Sequence, residues 1–179
     1  ISSTDVFYVR KDTTSPSITN SQIGDDAWRT TSGITYNIDF SDNQSLLSYA
    51  QYTVYSNTGQ TGSTLKDWTN IASSINASSY TNDWQVDWTS LQEGTNYVSV
   101  KVFDNAGLSA TLNDVFYAKK DTNNPSITDN QTGDDIWKNS SGTSYNIDFS
   151  DTSGGSNLSY IQYTIYSNTA LTGSTLKDW

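Results

Sequence analysis

One segment of this chain occurs twice. Residues 6–18 read VFYVRKDTTSPSI and residues 115–127 read VFYAKKDTNNPSI, so the first copy starts at position 6, the second at position 115, and the period is 109 residues. A period of that length is the size of one compact domain with its own core. The chain is therefore predicted to be an array of domain-sized units, joined at the segments that contain Asp12 and Asp121.

The repeat also predicts the domain boundaries. Residues 1–10 match residues 110–119 and are expected to be the closing strand of a preceding repeat, whereas residues 11–119 form one complete repeat. Residues 120–179 are expected to be an incomplete second repeat, because they stop at the counterpart of Trp68. Two explanations stay open. The chain is a window of a longer array, or neighbouring chains supply the missing strands by β-augmentation.

Apolar side chains alternate with polar ones along several short segments, which is the pattern of half-buried β-strands. Turn residues separate these segments about every 10 positions, as in sandwiches of the immunoglobulin type. We therefore predict an all-β fold of tandem immunoglobulin-like antiparallel β-sandwiches, with about seven strands in each 109-residue repeat. Residues 80–89 are predicted to be a strand, and residues 65–75 fit either an edge strand or a short helix. The predicted core is Tyr36, Ile38, Phe40, Tyr52, Val54, Trp84, Trp88, Val98, Val100, Val102 and Phe116.

Composition and charge exclude several classes of function. The net charge of −10 argues against a nucleic-acid partner, because such binding depends on neutralising phosphates with Lys and Arg, and it favours cations. The chain has no His and no Cys, which excludes imidazole and thiol catalysis. The carboxylate pairs Asp25–Asp26 and Asp134–Asp135 are sequence neighbours, whereas glycosidases need two carboxyls across a cleft. We expect no enzymatic activity. No run of about 18 apolar residues is present, so no membrane span is expected in this segment.

Acidic residues fall where a sandwich would gather its loops. The topology predicts Asp12, Asp42 and Asp104 at one pole, and Asp25, Asp26 and Glu93 at the other, facing Asp121 and Asp151 of the next unit. Oxygen ligands contributed by several loops are typical of Ca²⁺ sites. The metal residues predicted in this way are Asp12, Asp42, Asp104, Asp121 and Asp151. The alternative is that these residues only form local hydrogen bonds in turns.

Aromatic residues suggest a second kind of site. Tyr49 and Tyr55 fall on the outward face of the strand predicted over residues 47–56, and they recur as Tyr160 and Tyr166. Rings presented in this way could stack on sugars, so these four tyrosines are candidate glycan-binding residues. The alternative is that the rings pack against a neighbouring loop or subunit.

The segment from residue 98 to residue 107 reads VSVKVFDNAG, a closing strand with Phe116 and Ala118 follows, and residues 120–125 read KDTNNP. This order resembles the bacterial immunoglobulin-like (Big-type) tandem repeats of large secreted cell-surface proteins and adhesins. Leu108 stands where that family usually has Asn.

The resemblance implies an extracellular location on a prokaryotic surface and a structural role as a spacer, stalk or adhesive fibre, with adjacent repeats as partners. A carbohydrate-binding accessory module that recognises a cell-surface glycan is one alternative. A filament of identical chains, each completed by strands of its neighbour, is another.

Overall fold

The computed structural model describes residues 3–22, 27–131, 136–140, 142 and 144–179. Within these residues the regular elements are twelve β-strands and one short 3-10 helix, so the predicted all-β class is confirmed. The chain divides into two units, Ile1–Thr122 and Asn123–Trp179. No helix in the described part is long and apolar enough to cross a membrane.

The first unit contains eight strands. They are β1 Ser17–Asn20, β2 Trp28–Arg29, β3 Ile38–Ser41, β4 Leu47–Asn57, β5 Thr61–Ala72, β6 Ser79–Tyr80, β7 Gly94–Asp104 and β8 Ser109–Lys120. One sheet has the order β1-β3-β6 and the other the order β2-β8-β7-β4-β5. Among the described strand pairs of this unit, β2 and β8 are parallel and the others are antiparallel. This is the strand order of an immunoglobulin-like sandwich.

The core lies between the inner faces of the two sheets, where side chains at every second position meet. Ten of the eleven predicted core residues are buried, and Trp88 is half-buried against the same cluster. The rings of Tyr36 and Phe116 stack at a centroid distance of 3.9 Å, which joins the segment before β3 to β8. The core also contains residues outside the predicted list: Ala50 and Ala118, which share the alternating face of Tyr52 and of Phe116, and Leu47, Leu91 and Val115.

The prediction of a strand over residues 80–89 was wrong for most of that segment. Only Ser79–Tyr80 forms a strand, Trp84 makes an isolated bridge to Tyr36, and Trp88–Ser90 is a 3-10 helix. The carboxylate of Asp87 caps this helix by accepting hydrogen bonds from the amide and the hydroxyl of Thr89. A capped turn bends the chain away from the sheet, which the apolar alternation of Trp84, Val86 and Trp88 does not reveal.

Residues 65–75, which fitted either an edge strand or a helix, lie mostly in strand β5. Among the described strands, β5 pairs with β4 alone and so forms an edge of its sheet. Its register against β4 is irregular at several points, for example between the pairs Tyr52–Thr69 and Val54–Lys66. Bulges of this kind are common on edge strands and increase their twist.

The second unit contains four strands, β9 Ser126–Asp129, β10 Ile147–Ser150, β11 Ile165–Asn168 and β12 Thr172–Lys177. Ile127 pairs with Phe149 as Ile18 pairs with Phe40 in the first unit, so the repeat extends to the strand register. Tyr145 and Tyr163 are each 62% exposed, whereas their counterparts Tyr36 and Tyr52 are buried. In the first unit both rings pack against Trp84, and that of Tyr36 also stacks on Phe116, whereas the described residues of the second unit supply no counterpart of either partner.

Candidate metal centre

Three carboxylates converge in the first unit from widely separated parts of the sequence. Asp12 lies in the hinge segment, residues 11–13, which precedes β1; Asp42 follows β3 directly; and Asp104 is the last residue of β7. One ligand oxygen of each lies within 4.8 Å of the other two. The sequence-based expectation that these three residues share one pole of the sandwich is thus confirmed. Strands β3 and β7 place Asp42 and Asp104, and a hydrogen bond from Ser45 in the β3–β4 loop places Asp12.

Asp42 organises the loop between β3 and β4. Its Oδ2 accepts hydrogen bonds from the amides of Leu46 at 2.7 Å and Gln44 at 3.2 Å. Leu46, whose amide donates to this carboxylate, adopts a φ of 70°, in the left-handed region. The loop is therefore wrapped around a buried acidic side chain.

Asp12 attaches the hinge segment to the same loop. Its Oδ1 accepts the amide of Thr14 at 2.9 Å and its Oδ2 accepts the amide of Ser45 at 3.1 Å. Hydrogen bonds from Ser45, chiefly through its side chain, and from Thr14 lower the pKa of Asp12 below its usual value. The carboxylate is thus held in the ionised form, which is the form that binds cations.

Asp104 is the most enclosed of the three, with 3% of its surface exposed. Its Oδ1 accepts the amide of Leu108 at 2.8 Å, within the turn that connects β7 to β8. Its Oδ2 is buried and has no hydrogen-bond partner among the residues that the structure describes. A buried carboxylate oxygen without a partner is costly, and beside two further carboxylates it has the chemistry of a cation ligand.

The donor set specifies the class of ion. All three side chains offer oxygen alone, and three negative charges this close repel one another unless a cation lies between them. Ca²⁺ binds oxygens at about 2.3–2.6 Å, so two of its ligands can be up to about 5 Å apart, which the 4.8 Å limit satisfies. An open cleft at this pole is lined by Asp12, the one member of the cluster that reaches it, together with the cationic residues Arg10 and Lys11 and with Gln44 and Asn105.

The remaining predicted metal residues lie elsewhere. Asp121 is buried in the first unit, and its amide donates to the carbonyl of Arg29 at 3.0 Å. Asp151 follows β10 in the second unit, and its Oδ1 accepts the amide of Thr152 at 2.9 Å. Calcium binding by these two residues stays a prediction. Asp25, Asp26, Asp134 and Asp135 lie outside the described residues.

Glu93 was expected at the pole opposite Asp12. Its carboxylate accepts two hydrogen bonds from Thr122. Its Oε2 accepts the amide of Thr122 at 2.8 Å, and its Oε1 accepts the hydroxyl of Thr122 at 2.5 Å. Both oxygens are used in this contact. Glu93 therefore fastens the end of β8 and does not belong to the carboxylate cluster.

The candidate glycan-binding tyrosines of the first unit, Tyr49 and Tyr55, are separated along β4, and Tyr160 of the second unit lies before β11. Tyr49 stacks on Phe103 at a centroid distance of 4.4 Å, whereas Tyr55 pairs with Tyr97 across the same two strands. Six residues of strand separate Tyr49 from Tyr55, about 20 Å. In the second unit Tyr160 is 76% exposed and Tyr166 is half-buried in β11.

The sequence reasoning missed the neighbours of Tyr49. Phe103 and Lys101 lie beside it on β7, and Trp68 lies on β5 with its ring centroid 4.6 Å from the Nζ of Lys101. The alternation along β7 indicates that the side chains of residues 101 and 103 point away from the core. Which rings become lateral neighbours depends on the strand register, which the alternation alone does not give.

Comparison of the chain with protein-family models, with curated proteins and with solved structures gives no match.

Proposed function

We propose that this chain is a non-enzymatic structural repeat of an extracellular prokaryotic protein, a spacer or stalk segment of a surface adhesin or fibre. In this proposal Ca²⁺ binds at Asp12, Asp42 and Asp104 and fixes the hinge segment to the sandwich that follows it. The cation thereby controls how stiffly one repeat continues into the next.

The unpartnered Oδ2 of Asp104 is the observation that carries the calcium part of this proposal. A carboxylate oxygen buried without a hydrogen bond is destabilising by about 1–3 kcal/mol or more, because it has lost its water and gained nothing. Its companions Asp12 and Asp42 supply two more negative side chains within 4.8 Å. A bound divalent cation removes both the desolvation cost and the mutual repulsion.

The position of the cluster supports the structural part. Asp12 lies in the segment that recurs at each repeat junction, while Asp42 and Asp104 belong to the body of the sandwich. A cation held by all three joins the junction to the domain. With the ion bound, the hinge segment would be held against the sandwich that follows it. This restraint suits a protein that must keep an extended shape.

Thermal unfolding of the full chain in 10 mM CaCl₂ and in EDTA tests the proposal. With an extracellular-type Kd of about 10⁻⁴ M, calcium should add roughly 2.7 kcal/mol to the free energy of unfolding. The variant Asp104→Asn should lose this calcium-dependent increase. The matched control is Asp67→Asn, which makes the same change of charge at an exposed position of β5 and should keep the increase.

Two results would count against calcium binding at this site. One is a melting temperature of the unaltered chain that is the same in CaCl₂ and in EDTA. The other is a calcium-dependent increase that survives in Asp104→Asn. Because each variant is compared with itself in the two buffers, any change in its stability without calcium does not affect the conclusion.

A further inference from the structure

The outer face of the five-stranded sheet carries large rings that the core does not use. Tyr49 and Phe103 are cross-strand partners whose planes lie 17° apart at a centroid distance of 4.4 Å. Trp68 on β5 is half-buried on the same face, where the Nζ of Lys101 lies 4.6 Å from the Trp68 ring centroid and 6.0 Å from that of Phe103. Two rings, those of Trp68 and Phe103, therefore lie beside one ammonium group on the side of the sheet opposite the core, and Tyr49 stacks on the second of them.

Two amide side chains complete this surface. Gln51 is opposite Lys101 across β7 and opposite Asn70 across β5, so it lies between them on the outward face. The Nε2 of Gln51 donates to the Oδ1 of Asn70 at 2.9 Å, which orients both amides. We call these six residues the outer aromatic patch: Tyr49, Gln51, Trp68, Asn70, Lys101 and Phe103.

The patch continues into an open groove. Tyr49, Gln51 and Asn70 line one part of it, and Ser73 and Ser74 line another. The groove thus presents a ring, amides that both donate and accept, and hydroxyls within one surface. This mixture of flat apolar area and neutral polar groups differs from a purely apolar docking face.

The chemistry of the patch matches a sugar chain. The C–H face of a pyranose ring packs against an aromatic ring, and an oriented amide can donate to one hydroxyl and accept from its neighbour. The net charge of −10 disfavours anions in general, but Lys101 is a local positive charge within the patch, and a charge-assisted hydrogen bond from it would favour a carboxylate at that point of the ligand.

From these contacts we propose that the outer aromatic patch binds a polysaccharide containing uronic acid. Trp68 and Tyr49 stack on successive sugar rings, Gln51 and Asn70 bind hydroxyls, and Lys101 pairs with the sugar carboxylate. Part of the set recurs in the second repeat as Tyr160, Gln162 and Trp179, so an array presents it at intervals. The site goes beyond the spacer role and does not depend on the calcium centre.

Calorimetric titration of the full chain tests the site with two ligands of equal length, an oligogalacturonide and a neutral cello-oligosaccharide. The titrations are done in EDTA, which removes calcium from both the protein and the acidic sugar. We expect the oligogalacturonide to bind roughly tenfold more tightly than the neutral chain, because the charge-assisted bond to Lys101 is available to it alone. The variant Lys101→Gln should bring the two affinities together.

Substitutions of the rings give the second readout. Trp68→Ala should weaken binding by roughly tenfold, and Trp68→Phe, which keeps a ring, should restore most of it. The matched control is Tyr97→Ala, an outward tyrosine of β7 beyond the patch, which should leave the affinity unchanged. Melting temperatures of all variants show whether each one is folded.

Three outcomes would overturn the proposal. They are no binding of either oligosaccharide, equal affinity for the acidic and the neutral chain, and a loss on Tyr97→Ala as large as that on Trp68→Ala. Restoration by Trp68→Phe separates a stacking role from a general effect on folding.

Discussion

Glu93 accepts two hydrogen bonds from Thr122, one from its amide and one from its hydroxyl. The two preceding residues are also fixed to the first unit, since the Nζ of Lys120 donates to the carbonyl of Leu91 at 2.9 Å and the amide of Asp121 donates to the carbonyl of Arg29. Residues 120–122 correspond to the hinge segment 11–13 of the first repeat. They are therefore anchored to the domain that precedes them.

Removing this anchor should loosen the end of β8 without disturbing the core. Glu93→Ala deletes both acceptors and should destabilise the unit by about 1 kcal/mol while speeding hydrogen exchange of the Thr122 amide. Glu93→Gln keeps one acceptor oxygen and should have an intermediate effect. Gln92→Ala, at an exposed neighbouring position, serves as the control. Unchanged exchange at Thr122 in Glu93→Ala would show that the contact is not formed in solution.

The ion pair between Lys66 and Asp87 should make stability depend on pH in the acid range. Their side-chain atoms are 2.7 Å apart, and the hydrogen bond from Lys66, followed by that from Thr89, lowers the pKa of Asp87 to about 2. An unfolded Asp titrates near pH 3.9, so the unfolded chain takes up this proton first as the pH falls. The stabilisation is complete above about pH 4 and is lost towards pH 2.

Asp87→Asn isolates this contribution, because Asn still caps the 3-10 helix. About a third of the surface of each charged side chain is exposed, so the loss at pH 7 should be on the order of 0.5 kcal/mol. The difference from the unaltered chain, measured by urea unfolding, should shrink to nothing near pH 2. A difference that stays the same at pH 7 and pH 2 would show that the effect does not come from the ion pair.

Two glycines of the β4–β5 hairpin should respond differently to alanine. Gly59 and Gly62 both have positive φ values, of 67° and 75°. A methyl group at Gly59 meets no described atom within 4 Å, whereas at Gly62 it collides with the Oγ of Ser56, which accepts the amide of Ser63. Gly59→Ala should cost about 1 kcal/mol, for the left-handed backbone alone.

Gly62→Ala should cost about 1–3 kcal/mol more, because the collision displaces Ser56 and breaks its hydrogen bond. Thermal unfolding of the two variants gives the comparison directly. Equal losses at both positions would mean that Ser56 moves aside freely. The hairpin of the second unit repeats this contact between Gly173 and Ser167, so its geometry belongs to the repeat.

The exposed face of the second unit should drive association of the 179-residue chain. Ile161, Tyr163 and Ile165 correspond to core residues of the first unit but are 45–62% exposed. Contiguous apolar surface and strand edges without partners favour pairing with another molecule. Sedimentation of the full chain should show concentration-dependent oligomers, whereas a chain ending at Thr122 should stay monomeric. A monomeric full chain at 100 times the lowest concentration would contradict this expectation.

The alternation of apolar residues was enough to predict the fold because most of the core lies on regular strands. Tyr36, Ile38 and Phe40 on one side and Val98, Val100 and Val102 on the other are buried as their period of two requires. The same reasoning failed at residues 81–89, where Asp87 forms a hydrogen bond that ends the extended conformation. A local cap of this kind depends on a side-chain contact that periodicity does not contain.

The two candidate sites were predictable to different degrees. Asp12, Asp42 and Asp104 could be placed together because sandwich topology alone decides which loops share a pole. The buried oxygen of Asp104 could not be foreseen, since it depends on the turn to Leu108. Trp68 and Phe103 were missed beside Tyr49 because lateral neighbours follow from register, and the bulges between β4 and β5 shift that register.

The parallel pairing of β2 with β8 has a mechanical consequence. Trp28 lies opposite Lys119 and Arg29 opposite Lys120, so a strand near the start of the sandwich runs beside its last strand in the same direction. A pull on the two ends of the domain slides these strands past each other, and their hydrogen bonds must break together. An antiparallel hairpin pulled from its open end would instead lose its bonds one at a time, at a lower force. The spacer role proposed above would therefore load this short pairing in shear.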